Sequence, residues 1–447
     1  MLAFAPVNYE RVTLPNGLRI LVSEMPETRS VSLAVYVGVG SRVEDRTNAG
    51  TAHFLEHIVF KGTAKRPLAQ DISQAIEGVG GAVNASTDKE VTVFWSRMVA
   101  RHYLLALDVI ADMIRAPLLR DADVDQERKV VVEEIRMYRD QPQDRVHTLI
   151  DELLYPRHPL GWEVAGREAV VMSLTPDDLR GFMARGYAPE RTVIALAGRL
   201  DAKEAIAAVQ SQFGDLARRE PWLAKPAPPP AAAHAKYLAK RGEQAHLCIG
   251  WRGVPQDHPD KYTLDMLNAV LGEGMSSRLF QELREKRALA YDVHSYESNY
   301  VDAGHLVIYA GVALTRSSEA LAVALEQVAR LRDEPVGEAE LLRVRDFLKG
   351  RIELRLEDTR GVSSWLAGQE LFLGRVRSVD ELCAIIDSIG PADVQRAAQK
   401  YLRPELAYVA AVGPRAALAA LEGGSGRGGE AAAALTKDTP EEVELAS

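Results

Sequence analysis

Apolar residues along this chain recur with two different periods. From Arg11 to Ser41, "RVTLPNGLRILVSEM" and "VSLAVYVGVGS" are rich in β-branched residues in alternation, which predicts strands. Asn16-Gly17 between the apolar runs predicts a hairpin turn. The period lengthens to that of a helix in "GTAHFLEHIVFKGT" (50–63), and again in "LAQDISQAIEGVG", where the helix should stop at Gly78. "GGAVNASTDKEVTVFWSRM" (80–98) returns to alternation and reads as a strand pair. "HYLLALDVIADMIRAP" (102–117) is helical and ended by Pro117, and "VDQERKVVVEEIRMYRDQP" is a helix stopped before Pro142.

Near residue 220 the texture changes. "EPWLAKPAPPPAAAHAKYL" is rich in proline and alanine, so residues 221–238 are expected to form an extended linker outside any sheet or helix. Beyond it the order of elements recurs. "AHLCIGWRGV" is a strand, "YTLDMLNAVLGEG" a helix, "AYDVHSYESNYVDAGHLVIYAGV" a strand pair, and "SSEALAVALEQVARLRD" a helix. Both halves run strand, helix, strand pair, helix, which points to an internal duplication. The expected domains are therefore 1–220 and 239–421, followed by a glycine-rich tail, 422–447, expected to be disordered.

Composition narrows the function classes. The 447 residues are 47% hydrophobic and 26% charged, as in an ordinary globular chain with room for two domains. A net charge of −9 argues against nucleic acid, whose phosphates call for a basic face. The opening residues lack a basic region followed by an apolar one, and no stretch has the length of a membrane span, so a cytoplasmic location without membrane association is expected. Cys248 and Cys383 lie far apart and read as two buried thiols in a reducing compartment.

Against this background His53-Phe-Leu-Glu56-His57 carries chemistry. Residues four apart on a helix share a face at about 6 Å, so both imidazoles can reach one ion. Glu56 stands on the same side, placed to take a proton from water activated by zinc. Two solvated histidines on a surface helix would give the same spacing, so a third ligand decides. Glu127, Glu133 and Glu134 share a helix, with Glu127 and Glu134 on one face. Val130-Val131-Val132 makes that helix partly buried, and buried carboxylates need a partner or a cation. This favours ligation without choosing between Glu133 and Glu134.

His53–His57 is the inverted zinc signature His-x-x-Glu-His. With "FKGT", "GGAVNASTDKE", "HPLGWEVAG" (158–166) and "SSRLFQELREKRALAYDV" (276–293), the chain resembles the pitrilysin/insulysin superfamily, the inverzincins, over roughly residues 10–415. It is most similar to the two-domain branch that holds mitochondrial processing peptidase and short bacterial zinc peptidases. The resemblance implies an α+β chain of two tandem homologous domains, each a mostly antiparallel sheet flanked by helices. It also implies one zinc ion per chain held by His53, His57 and Glu134, with Glu56 as general base and Glu127 assisting proton handling or orienting the site.

The same resemblance assigns Asn84 and Ala85 to a strand whose edge pairs with the peptide substrate. It assigns Arg284 and Tyr291, in the half without the metal motif, to the oxyanion formed on the attacked carbonyl. The implied activity is zinc-dependent endoproteolysis of unfolded or short peptides in a dimeric chamber. The chain holds both residue sets, which suits a homodimer; a heterodimer with a related chain, or a non-catalytic or partner-dependent subunit, is the alternative. A structural zinc site closed by four protein ligands is disfavoured, because neither His102 nor His147 has motif support as a fourth.

Overall fold

The computed structural model describes residues 7–220, 222–230 and 234–422. Apart from Glu422, the glycine-rich tail expected at 422–447 lies outside the described residues. The chain forms two compact units, each assembled from separated segments. The first runs up to Arg136 and adds Glu163–Lys225 and Arg351–Leu382; the second takes Met137–Trp162, Pro226–Gly350 and the chain from Cys383 on.

The first unit is built on a six-stranded sheet of β1 (Glu10–Thr13), β2 (Arg19–Glu24), β3 (Ser30–Val37), β4 (Ala82–Thr87), β5 (Thr92–Val99) and β6 (Thr192–Gly198). Their spatial order is β1-β2-β6-β3-β5-β4, and only β2 and β6 run parallel. The turn into β2 follows the sequence expectation: Gly17 has φ +92°, and the Leu14 N–H donates to the Leu18 carbonyl at 2.8 Å.

Alternation along β3 sorts its side chains to two faces. Val31, Leu33, Val35 and Val37 enter the main core, which the helix Tyr103–Arg115 also lines. Ser32 and Tyr36 meet the helix Thr359–Leu373 on the other face, the Ser32 hydroxyl lying 3.0 Å from that of Thr359. The same helix buries Glu370, whose carboxylate takes two hydrogen bonds from Arg11 at 2.9 Å and an ion pair from Arg19 at 3.3 Å.

The second unit holds a five-stranded sheet of β7 (Ala235–Ala239), β8 (Gln244–Arg252), β9 (Ala290–Asn299), β10 (Gly304–Ala313) and β11 (Tyr408–Gly413), in the order β7-β11-β8-β10-β9. Only β7 and β11 are parallel. This order and these directions repeat β2-β6-β3-β5-β4, so the duplication read in the sequence reappears as topology. The helix Pro142–Leu154 covers this sheet, burying Val146, Leu149, Ile150 and Leu154 against Cys248, Tyr309 and Ala410. Gly250 permits the close approach, since a Cβ there would stand 3.0 Å from Ile150.

Each half of the sequence thus lends one helix to the other half's sheet, and the units are not cut where the halves meet. The proline-rich stretch also departs from expectation: its last residues form β7, because beyond the prolines every amide can donate to a neighbouring strand. Pro142 does not merely end a helix but opens the next one at its first position, where proline lacks no needed N–H. Neither cysteine is in a disulfide; Cys248 is buried and Cys383 only half-buried, which corrects the expectation of two buried thiols. Among the described residues no helix is long and apolar enough to cross a membrane.

Candidate metal centre

The signature lies on α1 (Thr51–Ile58). Its start is fixed by Gly50, with φ +104° and room for no Cβ, which would come within 2.6 Å of the Ala165 carbonyl. The first amides of a helix lack intrahelical partners. Here Glu44 supplies them, its two buried carboxyl oxygens accepting from Gly50 N–H at 2.8 Å and Ala52 N–H at 2.7 Å. Burial pushes the Glu44 pKa up to about 8, against the pull of these amides. Ala52, Phe54, Leu55 and Ile58 enter the core, which leaves His53, Glu56 and His57 to one side.

The next two helices, α2 (Ala69–Glu77) and α3 (Tyr103–Arg115), contribute no ligand; the acidic residues come from α4 (Asp121–Asp140). Val124, Val131, Val132 and Ile135 bury one side of α4. Glu134 turns toward α1, with its carboxylate oxygens 3.7 Å from His53 Nε2 and 3.4 Å from His57 Nε2. Glu133 points away, largely exposed and paired with Arg136 at 2.7 Å. The geometry therefore separates the two glutamates that the sequence left open. One donor atom each from His53, His57 and Glu134 lie within 4.8 Å of one another, the one such set of three among the described residues. Two imidazole nitrogens and a carboxylate suit zinc with one coordination position left open.

Glu127 stands behind His57. Its Oε1 accepts from His57 Nδ1–H at 3.0 Å, while Oε2 lies 2.6 Å from Lys61 Nζ. With its Nδ1 proton so held, a neutral His57 would offer its Nε2 lone pair to a metal ion. In the metal-free chain burial lowers the His53 pKa to about 4. Burial acts the same way on His57, but the Glu127 and Glu134 carboxylates outweigh it and raise the value to about 9. Glu127 itself is held low: burial opposes ionisation, and His57 and Lys61 overcome it. The Glu56 pKa is raised, chiefly by burial, with partial offset from Thr87 at the end of β4. A carboxylate with a raised pKa suits proton uptake near neutrality.

The remaining expected residues fall as follows. Asn84 and Ala85 sit on β4, the edge of the first sheet, Asn84 exposed and Ala85 buried. Arg284 and Tyr291 belong to the second unit, where the Arg284 guanidinium lies 5.1 Å from the centre of the Tyr291 ring. Arg284 sits in a π-helical segment, Phe280–Lys286, and Tyr291 is 75% exposed on β9. His102 is outside the ligand set, and His147 Nδ1 lies instead 2.7 Å from the Tyr296 hydroxyl. Sequence reasoning missed Lys61 and Glu44. Lys61 lay within the quoted "FKGT"; Glu44 caps α1 from a distance that no capping pattern encodes.

Comparison with known proteins bears on the family of the chain. Residues 19–168 match the family model described as Insulinase (Peptidase family M16), and residues 173–348 the one described as Peptidase M16 inactive domain. An uncharacterized zinc protease of Streptomyces coelicolor is 37% identical over 408 residues, covering 89% of each chain. The uncharacterized zinc protease YmxG of Bacillus subtilis is 38% identical over 391 residues, 87% of this chain and 93% of its own. In fold, the chain is similar to a protease from Helicobacter pylori at TM-score 0.85 and 22% identity, with 92% of this chain and all of the other covered. A peptidase M16 inactive domain from Pseudomonas fluorescens gives 0.83 at 22% identity, over 91% and 98%. With both halves matched in order and such relatives aligned along nearly their whole length, this chain belongs to peptidase family M16.

Proposed function

We propose that this chain is a zinc metalloendopeptidase acting on unfolded or short peptides. The observation that carries the reading is the convergence of His53 Nε2, His57 Nε2 and a Glu134 carboxylate oxygen, with Glu56 on the same turn of α1. The names of the relatives support the metal assignment. Bound zinc supplies Lewis acidity, which makes water nucleophilic near neutral pH and polarises a carbonyl. The chain's own residues do the rest. Glu56 takes the proton of the attacking water on its carboxylate and returns it to the leaving amine. Glu127 holds the Nδ1 proton of His57. β4, the last strand of its sheet, receives the peptide as an added strand at Asn84 and Ala85, which fixes its direction by main-chain hydrogen bonds.

Arg284 and Tyr291 are assigned to the oxyanion, a role supported by their pairing, by the exposure of Tyr291 and by the chemistry of guanidinium and phenol as donors to developing negative charge. A homodimer is the proposed assembly, since one chain carries both residue sets. The test is peptide hydrolysis by the purified chain with and without chelator, beside Glu56→Gln. Hydrolysis that survives full zinc removal overturns the reading.

A further inference from the structure

We propose that Lys61 is a positioning residue of the metal centre, fixing Glu127 as the acceptor that orients His57; this deepens the zinc reading above and rests on it. The two imidazoles are supported unequally. His53 Nδ1 is buried without a hydrogen-bond partner among the described residues, whereas His57 Nδ1 is tied to Glu127. The orientation of His57 therefore runs through a chain of two contacts: Lys61 Nζ to Glu127 Oε2 at 2.6 Å, and Glu127 Oε1 to His57 Nδ1 at 3.0 Å. The Glu127 side chain is only 3% exposed. A carboxylate so placed, with one oxygen facing no cation, would be costly to keep charged and free to turn from His57.

Lys61 is itself held in place. It stands three residues past the end of α1, its N–H donating to the Ile58 carbonyl at 3.0 Å. Its carbonyl accepts from Arg120 Nη2 at 3.2 Å, and the same Nη2 donates to the Pro67 carbonyl at 2.7 Å. Gly62 has φ +146°, and a Cβ there would meet the Pro67 carbonyl oxygen at 2.3 Å. Buried Thr63 bonds to the Asp112 carboxylate. Arg120 immediately precedes α4, the helix of Glu127 and Glu134, so the "FKGT" turn fastens the end of α1 to the start of α4 and aims the ammonium between them. This gives the motif a physical role besides chain reversal.

The experiment measures zinc affinity by chelator competition, with the melting temperature of the zinc-free protein alongside, and needs no peptide turnover. Lys61→Met should weaken zinc binding about tenfold, the scale of lost outer support for a ligand, in a zinc-free protein that still melts cooperatively, at a somewhat lower temperature because the buried Glu127 carboxylate has lost its cation. Lys61→Arg should restore most of the affinity. In a Glu127→Gln background, Lys61→Met should add no further loss, because the two act in series. Parent-like affinity in Lys61→Met, a Lys61→Arg variant as weak as Lys61→Met, or an undiminished effect beside Glu127→Gln would each overturn the proposal. A chain that binds zinc at these residues yet cleaves no peptide overturns the proposed function alone. A chain that binds no zinc overturns both.

Discussion

Arg11 and Glu370, 359 positions apart in the chain, face each other through two parallel hydrogen bonds of 2.9 Å each. Glu370 is fully buried and also meets Arg19, itself only 17% exposed. Replacing Glu370 with Ala leaves the Arg19 guanidinium desolvated and unpaired. Denaturant unfolding should show a loss of about 3 kcal/mol, the scale for breaking a buried pair. A loss no larger than that of an exposed pair, under about 1 kcal/mol, would show that the helix Thr359–Leu373 is held by its apolar side alone.

Glu56→Gln keeps the shape of the side chain and removes its basicity. Zinc content should match the parent, while kcat falls at least about a hundredfold. Full activity in this variant would remove Glu56 from the chemistry.

Tyr291→Phe and Arg284→Ala address the second unit. Loss of an oxyanion donor typically lowers kcat by about 10² to 10³ with a small effect on KM. A change confined to KM would instead assign the pair to uniform peptide binding.

The histidines predict opposite pH trends for the metal-free chain. His57, raised to about 9 between two carboxylates, contributes stability that is fully present below its ordinary pKa of about 6.5 and is lost as pH rises through 9. His53, lowered to about 4, contributes stability that fades as pH falls from 6.5 toward 4, where only the unfolded chain is readily protonated. Zinc needs both Nε2 lone pairs, so loading near pH 7.5 should release about one proton, from His57. Titration calorimetry in buffers of different ionisation enthalpy reads this directly; equal heats would contradict it.

Glu44→Ala removes both acceptors from the start of α1. By the scale of helix caps and unsatisfied buried donors the expected cost is about 2 kcal/mol, with faster hydrogen exchange at Gly50 and Ala52. Unchanged exchange there would mean that water replaces the carboxylate without loss.

Much of this was legible along the chain. Strands β1 to β5 and helices α1 to α4 announce themselves by period and by turn residues such as Asn16-Gly17, because the period records which face an element buries, however far along the chain its partner lies. His53, Glu56 and His57 are legible because they are neighbours on one helical turn. The choice between Glu133 and Glu134 was not, because it depends on which side of α4 the core takes, and Val130-Val131-Val132 presents an apolar residue in every direction. Lys61 stayed hidden since a lysine after a helix is ordinary until the carboxylate opposite it is known. The exchange of Pro142–Leu154 and Thr359–Leu373 leaves no local mark, since a helix that covers a distant sheet has the pattern of one that covers its own.

That exchange has a consequence for synthesis. All six strands of the first sheet have been made once Gly198 is joined, yet the helix that covers their second face begins about 160 residues later, at Thr359. At about 5–20 residues per second, the ribosome leaves that face bare for roughly ten to thirty seconds. Its residues suit the wait: Arg19, Ser30 and Ser32 can hydrogen-bond to water until Glu370 and Thr359 arrive to take its place.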